Sequence, residues 1–172
     1  YFLVDACFLA NKYIPVRVAP NDRQRTRLRA SQQWWREIDR QVSCHKARVY
    51  IPSICIAEAF KVIAKKYFQE KWFKTAQAMD TARRRLRKDV VVPTRTLRAA
   101  RRYIRYHDVP TTRDMIISVD RFYELFMKHD VRVQIADLIV VATAKYLVDF
   151  YDIPRSHLHI VTLDRHLREG SK

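Results

Sequence analysis

Short runs of apolar residues alternate along the chain with longer stretches in which apolar residues recur every three or four positions. Short, continuous runs of this kind are typical of strands that are buried on both faces. The predicted strands are residues 1–4, 48–51, 90–92 and 159–162. The longer, periodic stretches predict helices. The predicted helices are residues 21–44, one that begins at Ser53, residues 71–88, one that begins at Thr94, residues 113–129 and residues 137–147.

Two of these helices carry features that predict how they start and pack. In the first, Trp34, Ile38 and Val42 recur at helical spacing and are expected to form the buried stripe. In the second, Ser53 follows a proline and is expected to cap the helix with its hydroxyl group.

The order of these elements predicts the fold class. Strands that alternate with helices indicate an α/β fold with a doubly wound, short parallel sheet of about five strands, covered by helices on both faces. The length of 172 residues fits a single domain over 1–172. Most of the excess arginine lies in segments 16–46 and 70–110, which we interpret as extra basic helices within that domain.

The composition excludes several common kinds of site. Gly170 is the only glycine in the sequence, so a Walker A loop, a dinucleotide-binding fingerprint and a lipase-type nucleophile elbow are all ruled out. The three cysteines form no Cys-x-x-Cys pair, which argues against a zinc finger and favours a reducing, cytoplasmic compartment. No apolar run approaches the roughly 18 residues of a membrane span, so no membrane insertion is expected.

The net charge bears most directly on the choice of partner. The 34 Lys and Arg residues against 18 Asp and Glu residues give a net charge of +16, which makes nucleic acid the first candidate partner. A solvated charged face is the alternative explanation for any single cluster. The candidate RNA-binding residues are Arg83, Arg84, Arg85, Arg87, Lys88, Arg98, Arg101, Arg102 and Arg105.

Four acidic residues lie just after predicted strands or at the start of a predicted helix. Asp5 directly follows the first strand, and Asp164 follows the last one. Glu58 lies in the opening turns of the helix after the second strand, and Asp137 begins the almost wholly apolar helix. Ligands of an open parallel sheet bind outside the carboxyl ends of its strands, so Asp5, Glu58 and Asp164 are expected to meet at one rim. Asp137 joins them if its helix begins at the same rim.

Carboxylates gathered at one point repel each other and are stabilised by a cation between them. Oxygen ligands without a His or Cys cluster suit Mg²⁺ or Mn²⁺, and a pair of such ions can activate water for phosphodiester cleavage. Each acid also has a simpler explanation. Asp137 could be only a helix cap, Glu58 only a surface residue and Asp164 only a turn residue.

The same residues resemble the four motifs of the PIN-domain ribonucleases, and most closely those of VapC-type toxins. The segments that carry the resemblance are 3–9, 51–58, 136–144 and 161–167. The resemblance implies a metal-dependent endoribonuclease that acts as the toxin of a toxin–antitoxin pair, bound by an acidic antitoxin and able to form a homodimer. It also implies Mg²⁺ or Mn²⁺ ligation by Asp5, Glu58, Asp137 and Asp164, with Thr162 orienting an acid or a water molecule.

The chain departs from this family pattern at Cys7, where a small polar residue is usual, and in its extra basic material. Two alternatives to the toxin therefore stay open. One is a non-catalytic subunit of a ribonucleoprotein that binds RNA through its basic surface. The other is a ribonuclease that matures ribosomal or other structural RNA.

Overall fold

A four-stranded sheet, parallel throughout, forms the centre of the computed structural model, which describes residues 1–90, 106–164 and Leu167. The strand order is β3-β2-β1-β4, and β1 pairs with β2 on one side and β4 on the other. In this register Leu3 lies opposite both Tyr50 and Ile160. The strands are β1 (Phe2–Val4), β2 (Val49–Pro52), β3 (Tyr106–Val109) and β4 (His159–Val161).

Six helices cover these strands within residues 1–90 and 106–164. Helices α1 to α4 pack among themselves, whereas α5 packs against α6. All four residues of β2 are buried, as expected for a strand covered on both faces. The predicted doubly wound α/β class is therefore confirmed. The helices are α1 (Ala6–Tyr13), α2 (Asp22–Ser43), α3 (Ser53–Phe68), α4 (Ala76–Val90), α5 (Arg113–Lys128) and α6 (Ile135–Tyr151).

The third strand is the main difference from the sequence-based expectation. Val90 belongs to the end of α4, while residues 91–92 and the predicted helix from Thr94 lie outside the described residues. The described residues contain four strands, and the third of these is 106–109, which was not predicted. Its centre is polar, since Asp108 accepts a hydrogen bond of 2.7 Å from the Ser53 hydroxyl group. A strand stabilised in this way lacks the continuous apolar run that marks the others.

Helix starts were predicted with mixed success. Asn21 caps α2 by accepting a hydrogen bond of 2.9 Å from the backbone N–H of Gln24, as expected of an Asx residue there. The expected cap at Ser53 is wrong, because its side chain binds β3 instead. The helix predicted from Lys71 begins at Ala76, and Lys71 itself adopts a left-handed conformation with φ of 55°. Helix α1 had not been predicted.

The buried stripe of α2 contains Trp35 and not Trp34. Trp35 is 2% exposed, whereas Trp34 is 62% exposed. Both residues fit the helical spacing to Ile38 and Val42, so periodicity alone does not choose between them. The Trp35 ring stacks on Phe8 at 5.0 Å, and its indole N–H donates a hydrogen bond of 2.8 Å to the Phe8 carbonyl oxygen. This contact joins α2 to α1.

A polar cluster beside Trp35 joins the same two helices to β3. The ammonium group of Lys12 on α1 lies 2.7 Å from Asp39 on α2 and 4.6 Å above the Trp35 ring. The hydroxyl group of Tyr106 on β3 donates to Asp39 at 2.7 Å and also contacts Lys12. A partly buried charge pair with an additional donor holds the surrounding elements in one arrangement.

The two tryptophans provide a test of this packing. Trp35→Ala is expected to lower the free energy of unfolding by about 3–5 kcal/mol, because it removes a large buried ring and leaves a cavity. Trp34→Ala, one residue away on the exposed face, is expected to change it by less than about 0.5 kcal/mol. Urea unfolding followed by circular dichroism measures both values. Equal losses for the two variants would contradict the described packing of α2.

Candidate active site

The carboxylate of Asp5 lies at the point where β1, α1 and the end of β4 meet. The backbone N–H of Asp5 donates to the carbonyl oxygen of Val161 at 3.2 Å, which extends the pairing of β1 with β4 by one residue. Its Oδ1 atom caps α1 by accepting from the N–H of Phe8 at 2.6 Å. Its Oδ2 atom accepts from the hydroxyl group of Thr162 and from the N–H of Leu163 at 3.4 Å.

Asp5 is buried, with 6% of its surface exposed. Burial raises the pKa of its carboxyl group above the ordinary value, and the hydrogen bonds from Thr162, Phe8 and Leu163 oppose that rise. The carboxylate of Asp137 raises the pKa of Asp5 further, so the two acids lie close enough to repel each other. The first strand and the apolar helix therefore bring these two acids within electrostatic reach of each other.

Asp137 reaches this region from the first turn of α6. The helix begins at Ile135, two residues before the predicted start, so Asp137 is its third residue and not its cap. Its Oδ2 atom accepts a hydrogen bond of 3.1 Å from the backbone N–H of Gln134, which forms a capping box. The simpler explanation of Asp137 is thus partly right, since the side chain supports the helix start while also acting on Asp5.

The pKa values of two cysteine thiols show which acids lie near them, Glu58 included. The pKa of Cys7 is raised to about 11, first by desolvation of the thiol and then by the charges of Asp5, Glu58 and Asp137. The pKa of Cys55 is raised by the same causes. Glu58, which is partly buried on α3, therefore shares the neighbourhood of Asp5 and Asp137.

Thr162 connects the fourth acid to the first. Its hydroxyl group donates to Asp5 and accepts a hydrogen bond of 2.9 Å from the backbone N–H of Asp164. The Asp164 carboxylate accepts in turn from the N–H of Leu167 at 3.2 Å. Thr162 therefore orients an acid, which is one of the two roles that the resemblance implies for it. It lies just beyond β4, which ends at Val161.

The acids fit a hard divalent cation in donor chemistry and in charge. They supply carboxylate oxygens without imidazole, and the mutual repulsion of Asp5 and Asp137 is the kind that a bound cation relieves. In their spacing, however, the described acids do not form a ready-made metal site. Among residues 1–90, 106–164 and Leu167, no three His, Cys, Asp or Glu side chains form a group that could hold a metal ion.

The basic residues of α4 lie on its exposed side. Met79, Ala82 and Leu86 are buried against the rest of the protein. Arg84, Arg85, Arg87 and Lys88 are exposed, and Arg83 is partly buried. We call these five residues the α4 basic face. The other candidate RNA-binding residues lie outside the described residues, and they are Arg98, Arg101, Arg102 and Arg105.

Sequence reasoning did not find a pocket next to the acids. Gln24, Arg27 and Leu28 line it from α2, and Lys65 and other residues of α3 line the other side. The spacing of 24, 27 and 28 indicates one helix face, but the approach of α3 to that face is a tertiary contact. Only the helical periodicity of the α2 residues could have pointed to this surface.

The raised pKa of Asp5 predicts an unusual dependence of stability on pH. Because the pKa of Asp5 is higher in the folded protein, the folded state takes up a proton on this carboxyl group at a higher pH than the unfolded chain does. In EDTA, the free energy of unfolding of the unaltered protein relative to Asp5→Asn is therefore expected to increase as the pH falls from about 7 to about 4. Urea unfolding of both proteins at several pH values measures this difference. A difference that shrinks on acidification would show that the Asp5 pKa is lowered instead.

Comparison with known proteins adds no family assignment. No protein-family model matches the chain, and no curated protein matches it significantly in sequence. Within the described residues, no helix is long and apolar enough to cross a membrane. The features that bear on function are therefore the fold, the acids around Asp5 and the net charge of +16.

Proposed function

We propose that this chain is a metal-dependent endoribonuclease that hydrolyses RNA phosphodiester bonds. The observation that carries the proposal is the buried carboxylate of Asp5 at the carboxyl end of β1, bound by Thr162, whose hydroxyl group also binds the backbone of Asp164. The protein around these acids has a net charge of +16, which suits an RNA substrate. The proposed ligands of Mg²⁺ or Mn²⁺ are Asp5, Glu58, Asp137 and Asp164.

The protein's own residues divide the work of such a site. A bound ion would activate water and stabilise the leaving oxygen of the RNA. Thr162 and the N-terminus of α1 hold the Asp5 carboxylate in one orientation, so that it is preorganised for the ion. The α4 basic face would bind the phosphates of the flanking RNA without regard to sequence.

We further propose that the nuclease is the toxin of a toxin–antitoxin pair. A strongly basic protein is complementary to an acidic antitoxin, which would compete with RNA for the same surface. Helix α5 exposes Ile116, Tyr123 and Met127 at helical spacing, and such an apolar face suits a protein partner such as a second copy of the chain.

A non-catalytic or RNA-processing subunit of a ribonucleoprotein is the second candidate. One observation favours the non-catalytic form: the described acids form no ready-made group of three metal ligands. The thiol of Cys7 has the same implication, because it is a weak hydrogen-bond donor where a small polar residue is usual in the family that the sequence resembles.

The first test of the proposal is RNA cleavage by the purified protein with Mg²⁺ or Mn²⁺. Asp5→Asn and Asp137→Asn are each expected to reduce the cleavage rate by roughly 100-fold or more, because each removes a charge that holds the ion. EDTA is expected to abolish cleavage. Gel analysis of total RNA and of a defined oligonucleotide measures the rates.

Asp120→Asn is the matched control, since Asp120 is exposed on α5 and the substitution makes the same change of charge. It is expected to retain the full rate. Circular dichroism should show that all three variants are folded. If the protein binds RNA tightly but cleaves none with either ion, the nuclease is excluded and the non-catalytic subunit remains.

A second test concerns the α4 basic face. In the Asp5→Asn background with EDTA, a triple substitution of Arg84, Arg85 and Arg87 by Gln is expected to weaken RNA binding. The slope of log K against log[salt] should fall in magnitude by up to about 2, because each phosphate contact on a single strand contributes about 0.7. Fluorescence anisotropy at several salt concentrations measures the slope.

The control removes the same charge from elsewhere on the surface. Arg121 and Lys128 are exposed on α5, and Arg132 is exposed just after it. Their replacement by Gln should leave the slope nearly unchanged. Equal effects of the two triple variants would mean that net charge alone, and not the α4 basic face, governs binding.

A further inference from the structure

A pocket of about 300 Å³ opens beside the acids, between α2, α3 and the segment that follows β4. Its volume is at the lower end of the range for pockets that hold small molecules, which is roughly 300–1,000 Å³. Cys7 and Asp164 form the part of the lining that is shared with the acid region. A ligand in this pocket would therefore lie next to the proposed metal site.

Leu163 connects the pocket to Asp5 directly. Its backbone N–H donates to Oδ2 of Asp5 at 3.4 Å, and its carbonyl oxygen accepts from the guanidinium group of Arg27 at 3.0 Å. Arg27 lines the pocket, so a single residue separates a pocket cation from the buried acid. A phosphate group bound in the pocket and a phosphodiester bond at the acids could thus belong to the same short stretch of RNA.

Three cations line the pocket and make it suitable for an anion. Arg27 comes from α2, while Lys65 and Lys66 come from α3. Lys66 lies 3.4 Å from the carboxylate of Glu70, which offsets part of its charge. With the carboxylates of Glu70 and Asp164 included, the charged side chains of the lining sum to one positive charge, which suits the phosphate of a nucleotide.

The remaining walls of the pocket are apolar. Leu28 and Trp72 are almost fully buried, and Val62 is partly buried between them and solvent. The ammonium group of Lys66 lies 3.4 Å from the centre of the Trp72 ring, so the walls offer apolar edges more than an open stacking face. Apolar walls together with cations from both helices match a ligand that has an apolar body and a charged group.

Gln24 supplies an unmet hydrogen-bonding group in this lining. Its Oε1 atom is buried and has no hydrogen-bond partner among the described residues, although its backbone N–H binds the side chain of Asn21. A buried acceptor left unpaired is unfavourable, and a ligand that donates a hydrogen bond to it recovers that free energy. A ligand with an N–H or O–H donor would therefore gain more from this side chain than one without.

We propose that this pocket binds one nucleotide of the RNA and that Gln24 reads its base. The Oε1 atom of Gln24 accepts a hydrogen bond from the exocyclic amino group of the base, while Arg27 and Lys65 hold the phosphate. Adenine, cytosine and guanine carry such an amino group, and uracil does not. Single-stranded bases that are splayed out of a helix are commonly recognised by contacts of this kind. The role of this contact in RNA cleavage rests on the proposed function, whereas the binding of a nucleotide in the pocket does not.

Calorimetric titration of the protein in EDTA with the four 5′-ribonucleoside monophosphates tests the proposal without any cleavage. Uridine monophosphate is expected to bind about fivefold more weakly than the best of the other three, the effect of one neutral hydrogen bond. Gln24→Leu should reduce that preference to less than about twofold, whereas Gln24→Glu, which keeps an acceptor, should retain it at lower overall affinity. Inorganic phosphate should bind the unaltered protein and Gln24→Leu equally.

Gln33→Leu is the matched control, because Gln33 is exposed on the same helix and the substitution removes the same amide group. It should keep the preference of the unaltered protein. If Gln24→Leu keeps the preference as well, or if no mononucleotide binds more tightly than phosphate, the proposal is overturned.

Mapping of cleavage sites in a random RNA pool separates this inference from the proposed function. Loss of discrimination against uridine at one position near the cut, in Gln24→Leu alone, would support both. Unchanged cleavage sites in an active Gln24→Leu protein would overturn the reading of the base and leave the nuclease intact. Selective mononucleotide binding by a protein that cleaves nothing would overturn the nuclease and leave the pocket as a nucleotide-binding site.

Discussion

The buried carboxylate of Asp5 is the constraint on which the arrangement of the acids depends. One of its oxygens caps the N-terminus of α1. The other accepts hydrogen bonds from Thr162 and Leu163 in the segment after β4. Hydrogen bonds to a charged group contribute roughly 1.5–3 kcal/mol each, which is the scale needed to offset the burial of the charge. The same oxygens that organise this junction are those that the proposed function requires for an ion.

The sequence was sufficient for those elements whose pattern is local. Strands β1, β2 and β4 are short apolar runs, and the starts of α2 and α5 carry the capping residues Asn21 and Thr112. Strand β3 escaped prediction because its polar residues are satisfied by distant partners, as Asp108 is by Ser53. The choice of Trp35 over Trp34 likewise depends on where Phe8 and β3 lie, which periodicity does not contain.

The candidate site divides in the same way. The rule that parallel strands deliver their following residues to one rim grouped Asp5 with Asp164, and Thr162 binds both of these residues. The rule does not place Asp137, because its helix follows α5 and not a strand. The pocket beside them could not be anticipated, because Gln24 and Lys65 lie on helices that meet only in the folded protein. Acids close to strand ends are visible in a sequence, whereas a cavity between helices is a property of packing.

The position of β1 in the sheet has a consequence for synthesis on the ribosome. This strand lies between β2 and β4, so its pairing partners include residues 159–161, far along the chain. Contacts of such long sequence separation form late and slow the folding of a domain. During translation from the N-terminus, Asp5 meets Thr162 only after residue 162 has left the exit tunnel. Asp5 and Asp164 are consequently brought together only after β4 has been synthesised, so an incomplete chain lacks this arrangement of the acids.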